Sequence, residues 1–172
     1  MTASAEDVRE RQLAIVLIDL ARFTQVVAGL ELQELASIVA EFYGAATEAI
    51  SRHGGRVIKF VGDGCLAVFE PEDILKGLAA VETLRGHVQA IGAEHNLDMA
   101  MGANVHISTV AQGRFGLHGT DEVVGMGVIH TFRMGGGAGT RISEPVYRRL
   151  PSDRRSAWHK HQSPATYTAD ES

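Results

Sequence analysis

Apolar residues fall into short runs and helical stripes that can be read in chain order. Ala14-Ile15-Val16-Leu17-Ile18 is a continuous apolar run closed by Asp19, too short for a helix and rich in branched side chains, which predicts a strand buried on both faces. Leu35, Ile38, Val39, Phe42, Ala46, Ala49 and Ile50 recur three and four residues apart and predict an amphipathic helix terminated by Gly54-Gly55. Val57 to Val61 and Cys65 to Phe69 flank Gly62-Asp63-Gly64, the pattern of a β-hairpin with a tight acidic tip. Strand alternation puts Lys59 on one face with Val57 and Val61, opposite Ile58 and Phe60. Ile74, Leu75, Leu78, Val81, Leu84, Val88 and Ile91 mark a second helix, with Glu72 and Asp73 suitably placed before its first turn. Met101 to Val110 alternates loosely as a strand, Glu122 to Val124 is a short one, and Val128 to Met134 reads as a helix stopped by Gly135-Gly136-Gly137. Beyond Ser143 the pattern predicts a short helix and two terminal strands.

Strand, helix, hairpin, helix, strand is the order of an α+β fold, a ferredoxin-like or palm sheet with helices packed mainly on one face. Residues 13–172 read as one domain and 1–12 as a flexible leader or the end of a connection to an upstream regulatory domain. In such a sheet Asp19 ends the first strand and Asp63 sits on the hairpin tip, so neighbouring strands would bring both carboxylates to one sheet edge.

Composition narrows the function classes. Of 172 residues, 45% are hydrophobic and 22% charged, which fits an ordinary globule rather than a disordered or coiled-coil chain. Lys+Arg number 16 against 21 Asp+Glu, with no basic block, so a nucleic-acid partner is not expected. Cys65 is the single cysteine and has no disulfide partner in the chain, and the polar start lacks the apolar region of a secretion signal. No apolar run approaches the ~20 residues of a bilayer span. The expectation is a cytoplasmic protein without a membrane segment.

Two carboxylates held close together repel unless cations lie between them, and Mg²⁺ is a natural occupant of such an oxygen site. Two such ions can activate a hydroxyl and neutralise the charge on a departing pyrophosphate. On these residues alone, Asp63 as a plain turn residue and Asp19 as a strand terminator is the alternative.

Val16-Leu17-Ile18-Asp19-Leu20-Ala21-Arg22-Phe23-Thr24 resembles the metal-binding opening of the class III adenylate/guanylate cyclase catalytic domain. His53 to Gly64 resembles that family's central hairpin. Val105-His106-Ile107-Ser108, with Gly113 and Gly116, is similar to its Ile-His-Thr-Gly strand, and Gly125 to Met134 to its Gly-Asp-Thr-Val-Asn-x-Ala-x-Arg-Leu helix. The resemblance runs from about Ala14 to Tyr167. It implies that Asp19 and Asp63, helped by the Leu20 carbonyl, ligate two Mg²⁺ or Mn²⁺, and that backbone at Phe23 and Thr24 contacts a triphosphate. Lys59 and Glu122 stand where the family reads the base, Arg133 at its transition-state arginine, and Lys160 near its triphosphate lysine. The base-reading pair implies ATP, since a guanine site would more typically carry Glu at the Lys59 position and Cys at the Glu122 position. The resemblance further implies a homodimer, with metal carboxylates from one copy and Lys59 and Arg133 from the other. On the residues alone, Lys59 also reads as an edge-strand lysine, Glu122 as a solvated turn acid and Arg133 as a surface arginine.

The chain departs from the family pattern at several places. Ile129 stands where the family has a ribose-orienting asparagine, Arg22 replaces a common glycine, Met126 replaces Asp and Ser108 replaces Gly. These departures keep open an alternative, a degenerate cyclase-homology domain that binds nucleotide or a partner without catalysis. A diguanylate cyclase is disfavoured because the hairpin lacks a Gly-Gly-Asp/Glu-Glu-Phe core. Gly125-Met126-Gly127 has His130 at the third glycine position and no βαβ context, against a dinucleotide site. His159 and His161 have no further ligand cluster near them in sequence.

Overall fold

The apolar run Ala14–Ile18 lies inside β1 (Arg9–Ala21), the strand around which the sheet is built. In the computed structural model, which describes residues 7–116, 118–162 and 165–169, β1 is followed by α1 (Phe23–Val26), α2 (Leu32–Arg52), β2 (Arg56–Val61), β3 (Gly64–Phe69) and α3 (Ile74–His95). Then come β4 (Ala100–Phe115), β5 (Thr120–Val124), α4 (Met126–Arg133), β6 (Gly139–Ser143), α5 (Glu144–Arg149), α6 (Ser152–Arg155), β7 (Trp158–Gln162) and β8 (Ala165–Ala169). The strand order is β2-β3-β1-β4-β6-β8-β7, with β5 paired to β4. β1 runs antiparallel to both β3 and β4, while β4 and β6 are parallel. This is the α+β sheet expected from sequence.

A strand flanked on both sides must be apolar on both faces, and β1 is. Ala14, Val16 and Ile18 face the main core with α2 and α3, where Phe42, Ile50, Phe69, Leu84 and Val88 are buried. Leu13 and Ile15 face the other way, onto a smaller cluster with Leu66, Val68, Val110 and Val123. The long helices therefore lie on one face, and α4 packs on the other against β1 and β4. Gly127 permits that contact: a Cβ there would overlap the Ser108 side chain. Among the described residues no helix is long and apolar enough to cross a membrane.

Three sequence expectations need amendment. Residues 9–12, placed in the leader, belong to β1, because β4 is long enough to pair with them through Gln112 to Thr109; residues 1–6 of that leader lie outside the described residues. Lys59 does not share a face with Val57. The β2–β3 register shifts between these two residues, so Val57 pairs with Ala67 on the helix side while Lys59 pairs with Leu66 on the opposite face. Finally, α1 and β6 have no counterpart in the sequence reading.

Arg22 caps α1 with φ 54 and ψ 27, the left-handed conformation that glycine adopts without a Cβ penalty. Arg22→Gly is expected to raise stability by up to about 1 kcal/mol, read as an increase in Tm. An unchanged or lower Tm would show that the arginine side chain makes compensating contacts.

Candidate active site

The β1–β3 register sets Asp19 opposite Gly64, one residue beyond Asp63. The Leu20 N–H donates to the Asp63 carbonyl at 3.1 Å, so the hairpin tip is fastened to β1 by backbone alone. Tyr43 of α2 holds the tip from the other side: its hydroxyl donates to the Gly62 carbonyl at 2.6 Å, and its ring stacks on Phe60 at 3.9 Å. Sequence reasoning missed Tyr43, although it lies four residues after Val39 on the apolar side of its helix and packs against the core.

Asp19 and Asp63 line one cavity of about 350 Å³, together with Leu17, Val61, Asn104, Phe132 and the Gly135-Gly136 backbone. Burial holds the Asp19 carboxyl above the usual carboxylate range, and the charge of Asp63 pushes it further up. Arg141 of β6 pulls in the opposite direction, although its guanidinium donates to the carbonyls of Gly136, Gly137 and Ala138. Gly102 faces Asp19 across β4, and a Cβ there would overlap the Gly137 carbonyl and stand 3.0 Å from Asp19 Oδ1. Backbone glycine is thus what lets the loop after α4 close over the carboxylates.

A carboxylate whose pKa is raised by folding is ionised at a cost in the native state at neutral pH. That cost shrinks as pH falls below the raised value and is gone once pH is below the ordinary carboxylate value. Asp19→Asn removes it at all pH values, so the variant is expected to melt at higher temperature than the parent at pH 7 without divalent cation, and to lose most of that advantage at pH 4. A lower Tm for Asp19→Asn at pH 7 would contradict the electrostatic picture. The donor set fits a hard divalent cation: two carboxylates that repel each other, with the Leu20 backbone carbonyl between them in sequence. Among the described residues no group of three or more His, Cys, Asp or Glu side chains is placed to hold a metal, so any cation here depends on these two carboxylates and on non-side-chain oxygen.

A second cluster forms where β2 meets β5. Lys59 Nζ lies 2.6 Å from Glu122 Oε2, and Glu122 Oε1 accepts from the Val123 N–H at 3.0 Å. Asp121 points instead to Arg56, at 3.5 Å. The bulge at Ile58 is what turns Lys59 toward β5. Arg133 ends α4 and is exposed, on a helix that also exposes Met126 (74%), Ile129 (44%) and Phe132 (47%). His130 does not extend freely from this helix: its ring lies 4.6 Å from that of His106, whose Nδ1 is 2.8 Å from Ser143 Oγ. Burial, with a smaller contribution from His130, lowers the His106 pKa to about 4.

The remaining candidates are dispersed. Phe23 is buried and Thr24 exposed at the start of α1, directly after the Asp19 strand. Lys160 lies on β7, four places along the sheet from β1, with Nζ 5.8 Å from the centre of the Tyr167 ring. Within one chain, then, the structure brings Asp19 to Asp63 and Lys59 to Glu122. Lys59, Glu122, Arg133 and Lys160 are not among the residues lining the carboxylate cavity.

No family model matches the chain. The uncharacterized protein Rv1320c of Mycobacterium tuberculosis is 30% identical over 116 residues, which make up 63% of this chain and 19% of that protein. A second, Rv1318c, is 33% identical over 82 residues, 44% of this chain and 15% of its own length. The matches thus span less than a fifth of these relatives. Among solved structures, the adenylyl cyclase CyaB from P. aeruginosa superposes with a TM-score of 0.82 at 15% identity, covering 96% of this chain and 97% of that one. The guanylyl cyclase Cya2 gives 0.80 at 21% identity, covering 94% and 92%. A bacterial light-regulated adenylyl cyclase gives 0.81 at 19% identity, covering 95% of this chain and 53% of its own. The superpositions show that this chain has the fold of the class III adenylyl and guanylyl cyclase catalytic domains.

Proposed function

We propose that this chain is the catalytic domain of an adenylate cyclase, converting ATP to 3′,5′-cyclic AMP and pyrophosphate at sites shared between two copies of itself. The observation that carries this reading is the meeting of Asp19 and Asp63 in one cavity, where the β1–β3 pairing brings them together. Asp19, Asp63 and the Leu20 carbonyl would hold two Mg²⁺ or Mn²⁺, whose charge, when bound, eases loss of the ribose 3′-hydroxyl proton and neutralises the leaving pyrophosphate.

The chain's own groups supply the rest. Phe23 and Thr24 open a helix whose first N–H groups have no intrahelical acceptor, and these are donors for a triphosphate. Lys59 donates to a ring nitrogen of adenine and Glu122 accepts from its amino group. Their mutual ion pair keeps both in position before the base arrives. Guanine presents a carbonyl where adenine presents that amino group, and the carbonyl would confront the Glu122 carboxylate, so ATP is preferred. Arg133 stabilises charge growing on the α-phosphorus oxygens, and Lys160 supports the triphosphate.

A shared site explains why the base-reading pair and Arg133 do not line the carboxylate cavity of their own chain. A second copy related by a two-fold axis would bring them to its partner's carboxylates and would cover Met126, Ile129, Phe132, Val61 and Val124. A second reading, nucleotide or partner binding without turnover, is favoured by one observation: exposed Ile129 offers no hydrogen bond where the family has asparagine. Incubation with Mn²⁺ and equimolar ATP and GTP separates the readings. Cyclic AMP as the main product is the expected result, cyclic GMP would overturn the base assignment, and neither product would favour the binding module.

A further inference from the structure

Among the described residues, Asn104 is the buried polar side chain whose hydrogen bonding is incomplete. It is 4% exposed, it lines the carboxylate cavity, and its Oδ1 has no hydrogen-bond partner among the described residues. Its orientation is not arbitrary. The other arm of the amide faces two backbone carbonyls, Thr131 O at 3.0 Å and Gly135 O at 2.9 Å. Carbonyls only accept, so the arm facing them is the NH₂ and the arm left over is the oxygen. A buried carbonyl oxygen without a donor is costly, and such an atom in a native site calls for a partner that the protein itself does not supply.

The sheet register shows where that partner would lie. Asp19 pairs with Gly102, and Asn104 is two residues further along β4 on the same face, paired with Leu17. It is thus the diagonal neighbour of Asp19, and such diagonals stand roughly 7–8 Å apart across a sheet. The amide oxygen and an ionised carboxylate are both acceptors and cannot satisfy each other, whereas water bound to a cation between them can donate to the amide. Among the described residues lining the cavity none is Lys, Arg or His, and Arg141, whose charge still reaches Asp19, directs its Nη1 and Nη2 donors to Gly136, Gly137 and Ala138.

We propose that Asn104 Oδ1 is the acceptor for water bound to a divalent cation held by Asp19 and Asp63, which makes Asn104 a positioning residue of this site. The inference rests on the cyclase reading of the two carboxylates. Its Nδ2 anchor joins this acceptor to the turn carrying Phe132 and Arg133, so the hydration shell and the end of α4 share one side chain.

The test uses the cation alone, without nucleotide. Mn²⁺ affinity is measured by calorimetry for the parent, Asp63→Ala, Asn104→Ala and Asn104→Asp, each checked for native circular dichroism. Outer-shell partners are worth about 10- to 100-fold in metal affinity, so Asn104→Ala is expected to weaken binding about 10-fold, while Asn104→Asp, which keeps an acceptor, binds at least as tightly as the parent. Parent-like affinity in Asn104→Ala overturns the proposal, as does equal weakening in both variants, which would assign the effect to the lost Nδ2 anchor. If the variants fail to fold, the parent decides. The chain has two asparagines, Asn96 and Asn104, so selective ¹⁵N-asparagine labelling yields two side-chain amide pairs. Mg²⁺ is expected to shift the Asn104 pair and leave Asn96 unmoved, and an unmoved Asn104 pair overturns the proposal. If the folded parent binds no Mn²⁺, or binds it undiminished in Asp63→Ala, the cyclase reading fails as well.

Discussion

Asp63→Ala is expected to lower Mn²⁺-dependent conversion of ATP to cyclic AMP about a thousandfold while leaving the fold intact. The two halves of that expectation have separate physical grounds. The tip of the β2–β3 hairpin is held by the Asp63 backbone carbonyl, which accepts from the Leu20 N–H, and by Tyr43 on the Gly62 carbonyl. Removing the Asp63 carboxylate disturbs neither. It also relieves Asp19, whose carboxyl is pushed up partly by Asp63, so the variant should be no less stable than the parent without cation. The chemistry, by contrast, loses one of two side-chain carboxylates available to hold cations, and cation stabilisation of a phosphoryl-type transition state is worth several kcal/mol, or about three powers of ten. Cyclic AMP formation in a folded Asp63→Ala protein within tenfold of the parent would remove the carboxylate pair from the mechanism.

Arg133→Ala is expected to reduce turnover about 100- to 1,000-fold, the usual range for losing one preorganised donor to developing charge. Arg133 is exposed at the end of α4 and does not line the cavity of its own chain, so its effect should be exerted on the partner's site. Mixing the two inactive variants makes that visible. Equal amounts of Asp63→Ala and Arg133→Ala, exchanging freely, form heterodimers as half of all dimers. Each heterodimer has one site with both defects and one with neither, so roughly a quarter of parental activity should return. A mixture no more active than its components would place Arg133 and Asp63 in the same site of one chain, against the shared arrangement. Gel filtration or light scattering of the mixture checks that the subunits associate.

Much of this architecture could be read from the residues because the features that carry it are local. The run ending at Asp19 and the hairpin around Asp63 each declare themselves by pattern, and their meeting follows once the two strands pair. What escaped the pattern depends on contacts distant in sequence. The face of Lys59 was misjudged because one extra residue at Ile58 inverts alternation, and a bulge leaves no mark in a sequence of apolar residues. β6 escaped because Gly139-Thr140-Arg141-Ile142-Ser143 alternates weakly, and its buried Thr140 and Ser143 are hidden by packing between β4 and β8 rather than by their own hydrophobicity. Asn104 is not singled out by the loose alternation of Met101 to Val110. Its significance lies in an unpaired oxygen beside two carboxylates, which needs the register of β1 with β4 and the loop after α4 together. Arg22 was visible as a departure, and its left-handed backbone supplies the physical reason glycine is favoured there.

If this chain makes cyclic AMP with two carboxylates at a site that two copies assemble, its activity depends on its own concentration. The most direct measurement is cyclic AMP formation from ATP with Mn²⁺ over a protein concentration series, with Asp63→Ala in parallel. Activity per milligram that rises with concentration until dimerisation is complete, and is about a thousandfold lower in the variant, is the predicted result. No cyclic AMP at concentrations where light scattering shows the dimer would contradict it.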